Sequence, residues 1–71
     1  MNFEQLNFTT YCVGNLADAL EMSAGQVYHM LRSSGILRDY ILPCYDTLHT
    51  FSKEYIVDDL IQCMKEKGVL A

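Results

Sequence analysis

The apolar residues of this chain recur at the spacing of an α-helix from one end of the sequence to the other. Placed at about 100° per residue, they form a one-sided stripe in each of four segments, at residues 3–21, 23–35, 36–49 and 56–67. Strand patterning is weak, and only Tyr55–Val57 has β character. The pattern predicts an all-α fold, a compact single-domain bundle of about four helices over residues 1–71.

The first segment has a wide apolar arc. One face contains Leu6, Val13, Leu16, Ala17 and Leu20, and the neighbouring positions Phe8, Cys12 and Ala19 widen it. So wide an arc is typical of the central helix of a bundle rather than of a helix on the surface. We therefore expect the face that includes Leu6 to lie in the core.

Capping residues and helix breakers predict where the middle helices begin and end. Ser23 and Gln26 have the spacing of a capping box, and Gly35 is expected to end the second helix in a left-handed conformation. Pro43 lies inside the third segment and deprives the Asp39 carbonyl of its usual hydrogen-bond donor. We predict that helix three is kinked near Pro43, or divided there into two short helices.

The fourth helix is predicted to run from about Ile56 to Lys67, where Gly68 ends it. This start places Asp58 and Asp59 in the first turn. Negative charge is favourable there because the helix dipole is positive at its N-terminus.

The charge balance of the chain is acidic. The formal net charge is −4, and the five basic residues are spread thinly along the sequence. Nucleic-acid binding usually needs a basic face that neutralises several phosphates, and the sequence contains no basic run. We therefore expect no nucleic-acid partner, and a basic protein partner fits better.

The three cysteines, Cys12, Cys44 and Cys63, are widely separated and lie among apolar residues. Structural zinc sites contain close ligand pairs, and secreted disulfide scaffolds have an even, denser set of cysteines. The sequence therefore predicts buried, reduced thiols, no metal site and no cofactor. It shows no signal-peptide features, and its longest apolar run, residues 40–45, is too short to cross a bilayer, so we expect a cytoplasmic protein without a membrane partner.

The stretch YDTLHTFSKEYIVDD, residues 45–59, collects the residues suited to chemistry or binding. Asp46 and His49 are three positions apart and would be neighbours on a helix, as a general base and its orienting carboxylate are. A catalytic pair also needs a nucleophile or a substrate pocket, and the sequence contains no GxSxG, HExxH or glycine-rich phosphate loop. We interpret the stretch as a corner between helices three and four, with a turn near residues 50–52, and expect no enzymatic activity.

Five residues of this corner are our candidates for interaction or for fixing the loop: Tyr45, Asp46, His49, Tyr55 and Asp58. Exposed tyrosines beside a histidine suit a protein contact, because they offer a large area at low entropic cost. The plainer interpretation is that the tyrosines cover the ends of a small core, while Asp46 or His49 fixes the turn by hydrogen bonds.

The motif resembles that of a known family. Tyr45-Asp46, Leu48-His49-Thr50 and Tyr55 to Asp59, preceded by Gly35 and Tyr40, are similar to a small bacterial family, domain of unknown function 3791. The resemblance covers about Tyr11 to Gly68, and it departs at Pro43, where members more often continue a helix. It implies no activity and no catalytic residues. Members look like partners of neighbouring genes, some encoding domains similar to ADP-ribosyltransferases, which suits a toxin–antitoxin arrangement.

These observations predict a protein-interaction module whose partner is another protein or a second copy of the chain, as in a homodimer. An antitoxin- or immunity-like role is the sharpest version of this hypothesis. A small DNA-binding transcriptional regulator is one alternative, favoured if Arg32, Arg38 and Lys53 form a basic patch in three dimensions. A small enzyme that uses His49 and Asp46 is the other, favoured by a cleft beside them.

The charge balance yields the first prediction. We expect no measurable binding of duplex DNA at physiological salt, because no basic face is available to neutralise phosphates. A fluorescence-anisotropy titration against a labelled duplex measures this. Micromolar, salt-sensitive binding would contradict it and favour the regulator.

Overall fold

The computed structural model describes residues 1–70 and contains four α-helices and one short π-helix. The elements are α1 (Phe3–Leu20), α2 (Ala24–Ser33), the π-helix (Leu37–Ile41), α3 (Tyr45–Leu48) and α4 (Lys53–Glu66). These residues form no β-strand, so the prediction of an all-α fold is confirmed. Within residues 1–70, no helix is both long and apolar enough to span a membrane.

The core forms around α1, which packs against both α2 and α4. Its buried stripe includes Phe8, Cys12 and Leu16, spaced four residues apart so that they lie on one side of the helix. The other helices bury Val27, Leu31, Ile41, Leu60 and Met64 in the same apolar cluster. The central position predicted for the first helix is therefore confirmed.

The prediction that Leu6 lies in the core is wrong, because its side chain is 50% exposed. The α2 residues that line a groove with Leu6 are Ala24, Gly25 and Tyr28, and the first two are too small to cover its side chain. A Cβ atom added at Gly25 would have no other atom within 4 Å, which shows how open this region is. The wide apolar arc of α1 is thus only partly covered.

The caps of α2 form as the sequence predicts. Ser23 Oγ accepts a hydrogen bond from the Gln26 amide, and the Gln26 side chain reaches back to the Ser23 amide, each at 3.1 Å. Gly35 follows the helix with φ of +85°, a conformation that only glycine adopts without steric cost.

The third segment is not one kinked helix. It is divided into the π-helix and α3, with a turn at residues 42–44 around Pro43, as in the second alternative. Because proline has no N–H, the α-helical ladder cannot pass through it. The Leu42 amide instead donates to the Leu37 carbonyl at 3.0 Å, which is the wider π-helical bond.

The predicted start of helix four is also wrong, because α4 begins at Lys53 and not at Ile56. Ser52 is its N-cap and accepts a hydrogen bond from the Tyr55 amide at 3.2 Å. This earlier start puts Glu54 in the first turn and moves Asp58 beyond it. Asp59 is displaced with it, so the favourable dipole interaction predicted for the two aspartates does not apply.

Leu48 and Leu6 allow a buried leucine to be compared with an exposed one. Leu48 is 3% exposed, and we expect Leu48→Ala to lower the free energy of unfolding by about 2–5 kcal/mol, since it removes buried methyl groups and leaves a cavity. Leu6→Ala should change it by less than about 1 kcal/mol. Urea unfolding of both variants tests this. Equal losses would contradict the exposure of Leu6.

Candidate functional site

The corner predicted from the sequence is a packed joint. His49 Nδ1 lies 2.8 Å from the Tyr45 carbonyl oxygen, which can only accept, so Nδ1 donates the hydrogen bond. The imidazole also stacks on the Tyr45 ring, with centroids 4.7 Å apart. Tyr45 in turn meets the edge of Phe8 on α1 at 5.4 Å. The joint therefore fastens α3 to the central helix.

Asp46 takes no part in this joint. Its side chain is exposed, and within residues 1–70 it makes no hydrogen bond to His49, whose Nδ1 is already bound to the Tyr45 carbonyl. Neither Asp46 nor His49 lines the three clefts described below. The Asp46–His49 hydrogen bond expected of an oriented general base is not formed among the described residues.

The other two candidates lie three positions apart on α4. Tyr55 is 52% exposed, and its ring packs against Phe51 at 4.5 Å. Asp58 lines a cleft of about 440 Å³ between α1 and α4, where Lys53 and Asp18 also lie. Among the described residues, hydrogen bonds and ring contacts join Tyr45 to His49 and Tyr55 to Phe51, and none joins all five candidates into one site.

Tyr40 connects the π-helix to α4. Its hydroxyl donates a hydrogen bond to the Asp59 carboxylate, as expected of a core tyrosine whose hydroxyl reaches the rim. This hydrogen bond and partial burial raise the pKa of Tyr40 well above its usual range, so the phenol stays protonated at neutral pH. The hydrogen bond links the π-helix to α4.

Two of the three thiols, Cys12 and Cys63, are unsuited to nucleophilic chemistry. Cys12 is fully enclosed in the core, and burial raises its pKa to about 12. Cys63 is half-buried, and burial raises its pKa as well. A thiol reacts as its thiolate, so these groups are largely inert at neutral pH. No cluster of three or more metal-binding side chains occurs in residues 1–70.

An apolar groove lies between α1 and α2 and has a volume of about 360 Å³. We call it the α1–α2 groove; its apolar lining residues are Met1, Leu6, Val13, Ala24, Gly25 and Tyr28. Thr9 and Thr10 also line it, but their hydroxyls donate to carbonyls of α1 at 2.8 and 3.0 Å. The groove therefore presents mainly carbon atoms to solvent.

A second, polar cleft adjoins the groove and has a volume of about 530 Å³. We call it the arginine cleft; Tyr28, Arg32, Leu37, Arg38, Asp39 and Leu42 line it. Tyr28 belongs to both surfaces, so they meet at its ring. Lys53, the third cation of the basic patch considered above, lies instead in the cleft with Asp18 and Asp58.

The sequence analysis predicted neither the α1–α2 groove nor the arginine cleft. The signal for the groove is the pair Ala24-Gly25, two small residues in the first turn of α2. The signal for the cleft is Arg32 and Arg38, which flank the helix-ending Gly35. Neither signal predicts a surface until the crossing of α1 and α2 is known.

The sequence matches the model of a family described as protein of unknown function (DUF3791) over residues 7–67. The chain belongs to this family. The resemblance inferred from the corner motif is thereby confirmed. No curated protein and no solved structure matches the chain. The match to DUF3791 extends from α1 to the end of α4 and includes Tyr28, Arg32 and Arg38.

The joint at His49 yields a prediction about the corner of this DUF3791 protein. His49→Ala should lower the free energy of unfolding by about 0.5–1.5 kcal/mol, because it removes a hydrogen bond and a ring contact with Tyr45. Asp46→Ala, at an exposed position, should behave like wild type. Thermal melts of both variants measure this. If His49→Ala melts like wild type and abolishes a turnover reaction, the corner is an active site.

Proposed function

We propose that this DUF3791 protein is a small cytoplasmic protein-interaction module, which binds another protein or a second copy of itself through the α1–α2 groove. The observation that carries the proposal is the exposure of Leu6 and Tyr28 beside a floor of small residues. Contiguous exposed apolar surface on a small protein marks an interaction site more often than isolated apolar residues do.

The composition of the groove suits a partner helix. Two helices form its walls, and Ala24 and Gly25 leave room between them. Amphipathic helices bind such grooves by inserting apolar residues spaced three or four positions apart. Tyr28, 39% exposed, can pack its ring against the inserted residues and direct its hydroxyl towards solvent.

The uncovered arc of α1 also affects the stability of the domain. A domain of this size buries a limited share of its apolar surface, and association with a partner adds to the core. An antitoxin- or immunity-like role is the specific form of our proposal, because such proteins act by holding a partner and need no chemistry of their own. The inert thiols and the hydrogen-bonded His49 agree with a module of this kind.

The groove is tested with matched variants of the full chain. Tagged wild-type protein is used to capture its partner from the native host, with self-association measured in parallel by light scattering. Leu6→Arg and Tyr28→Ala should reduce partner recovery or dimer content at least tenfold, about 1.4 kcal/mol, as expected for central interface residues.

Tyr55→Ala is the control, because it removes an exposed tyrosine from a different surface. It should retain wild-type binding. Melting temperatures show that each variant is folded. If Tyr55→Ala abolishes binding and the groove variants do not, the interaction surface is the α4 corner and the groove assignment fails.

A further inference from the structure

The arginine cleft concentrates positive charge in an acidic protein. The chain has five basic and nine acidic residues. The cleft contains two of the five, Arg32 and Arg38, and one of the nine, Asp39. Two arginines and one aspartate give the cleft a net positive charge. A positive cleft on a protein of negative net charge attracts an anion.

Within residues 1–70, only one of the two guanidinium groups has an acidic partner. Arg38 Nε donates to Asp39 Oδ1 at 3.3 Å, and both side chains are largely exposed, so solvent weakens this pair. Among residues 1–70, Arg32 has no carboxylate within ion-pair distance. An incoming anion therefore meets one free guanidinium and one that exchanges its partner readily.

The Asp39 carboxylate lies beside Gly35. A Cβ atom at Gly35 would be 3.1 Å from Asp39 Oδ2, so the carboxylate packs over the bare glycine backbone. Asp39 lines the same cleft as the two arginines. Its negative charge competes with any anion that enters, which makes Asp39 a specificity-determining group.

We propose that the arginine cleft binds a phosphate monoester attached to an aromatic group. A carboxylate has two oxygens and a single charge, so it would only replace Asp39 on Arg38. A phosphate monoester presents three oxygens and close to two negative charges at pH 7, enough for both guanidinium groups. The ring of Tyr28 and the Leu42 side chain at the cleft wall contact the aromatic group. The volume of about 530 Å³ suits a small-molecule ligand.

The probe is phenyl phosphate, titrated into the isotope-labelled full chain and followed by NMR. Saturable shifts are expected at Tyr28, Arg32, Gly35 and Arg38. Inorganic phosphate and phenylacetate should each bind several-fold more weakly, because one lacks the ring and the other lacks the second charge. This ligand series tests the chemical class independently of any protein partner in the groove.

Variants that remove a positive or a negative charge from the cleft should change the affinity for phenyl phosphate in opposite directions, and this tests the site. Arg32→Gln and Arg38→Gln should each weaken phenyl phosphate binding several-fold. Asp39→Asn should strengthen it several-fold, since it keeps the side-chain shape and removes the competing charge. Lys65→Gln, exposed on the last turn of α4, removes one positive charge elsewhere and should leave the affinity unchanged.

Three results would overturn the proposal. The first is shifts located outside the cleft, or none up to the solubility limit of the probe. The second is equal binding of inorganic phosphate or phenylacetate, which removes the aromatic phosphate ester as the ligand class. The third is an equal loss of affinity for Lys65→Gln and the arginine variants, which would mean that only the overall charge attracts the anion.

Discussion

The structure depends on the burial of one face of α1 against α2 and α4. Leu16, at the centre of that face, is completely enclosed, as are Leu31 on α2 and Leu60 on α4. Apolar burial at this junction supplies the main driving force for the fold. The side of α1 that contains Leu6 faces a groove to which α2 contributes the small residues Ala24 and Gly25. Leu6 is therefore left half exposed.

The segment between α2 and α4 cannot form one continuous helix, because Pro43 interrupts it. Its two short helical pieces are held by contacts with their neighbours and not by their own length. Tyr40 reaches Asp59 on α4, and Tyr45 packs against Phe8 on α1. The Gln5 side chain donates to the Leu42 carbonyl at 3.3 Å, which satisfies one acceptor in the turn before the proline. The positions of Tyr40 and Tyr45 in this segment are therefore explained by packing.

Features determined by a few neighbouring residues were predictable from the sequence, and features determined by helix crossing were not. The Ser23–Gln26 capping box and the left-handed Gly35 depend on local backbone geometry, and both are confirmed. The start of α4 was missed because the apolar stripe begins at Ile56, although the Ser52 cap is visible in the sequence. Leu6 was misplaced because the helical wheel ranks faces by their apolarity and does not contain the size of the α2 residues that lie beside them.

The same distinction applies to function. The polar residues of the corner are adjacent in sequence, yet in the structure His49 contacts Tyr45, Tyr55 contacts Phe51, and Asp58 lines the cleft with Lys53. The groove and the arginine cleft are assembled from residues far apart in sequence, and Tyr28 lines both. If the proposed ligand and the proposed partner both contact Tyr28 and one changes the affinity for the other, linkage requires the effect to be reciprocal and equal in size. Leu6→Arg affects the groove and Arg38→Gln the cleft, so these two variants separate the contributions that Tyr28 joins.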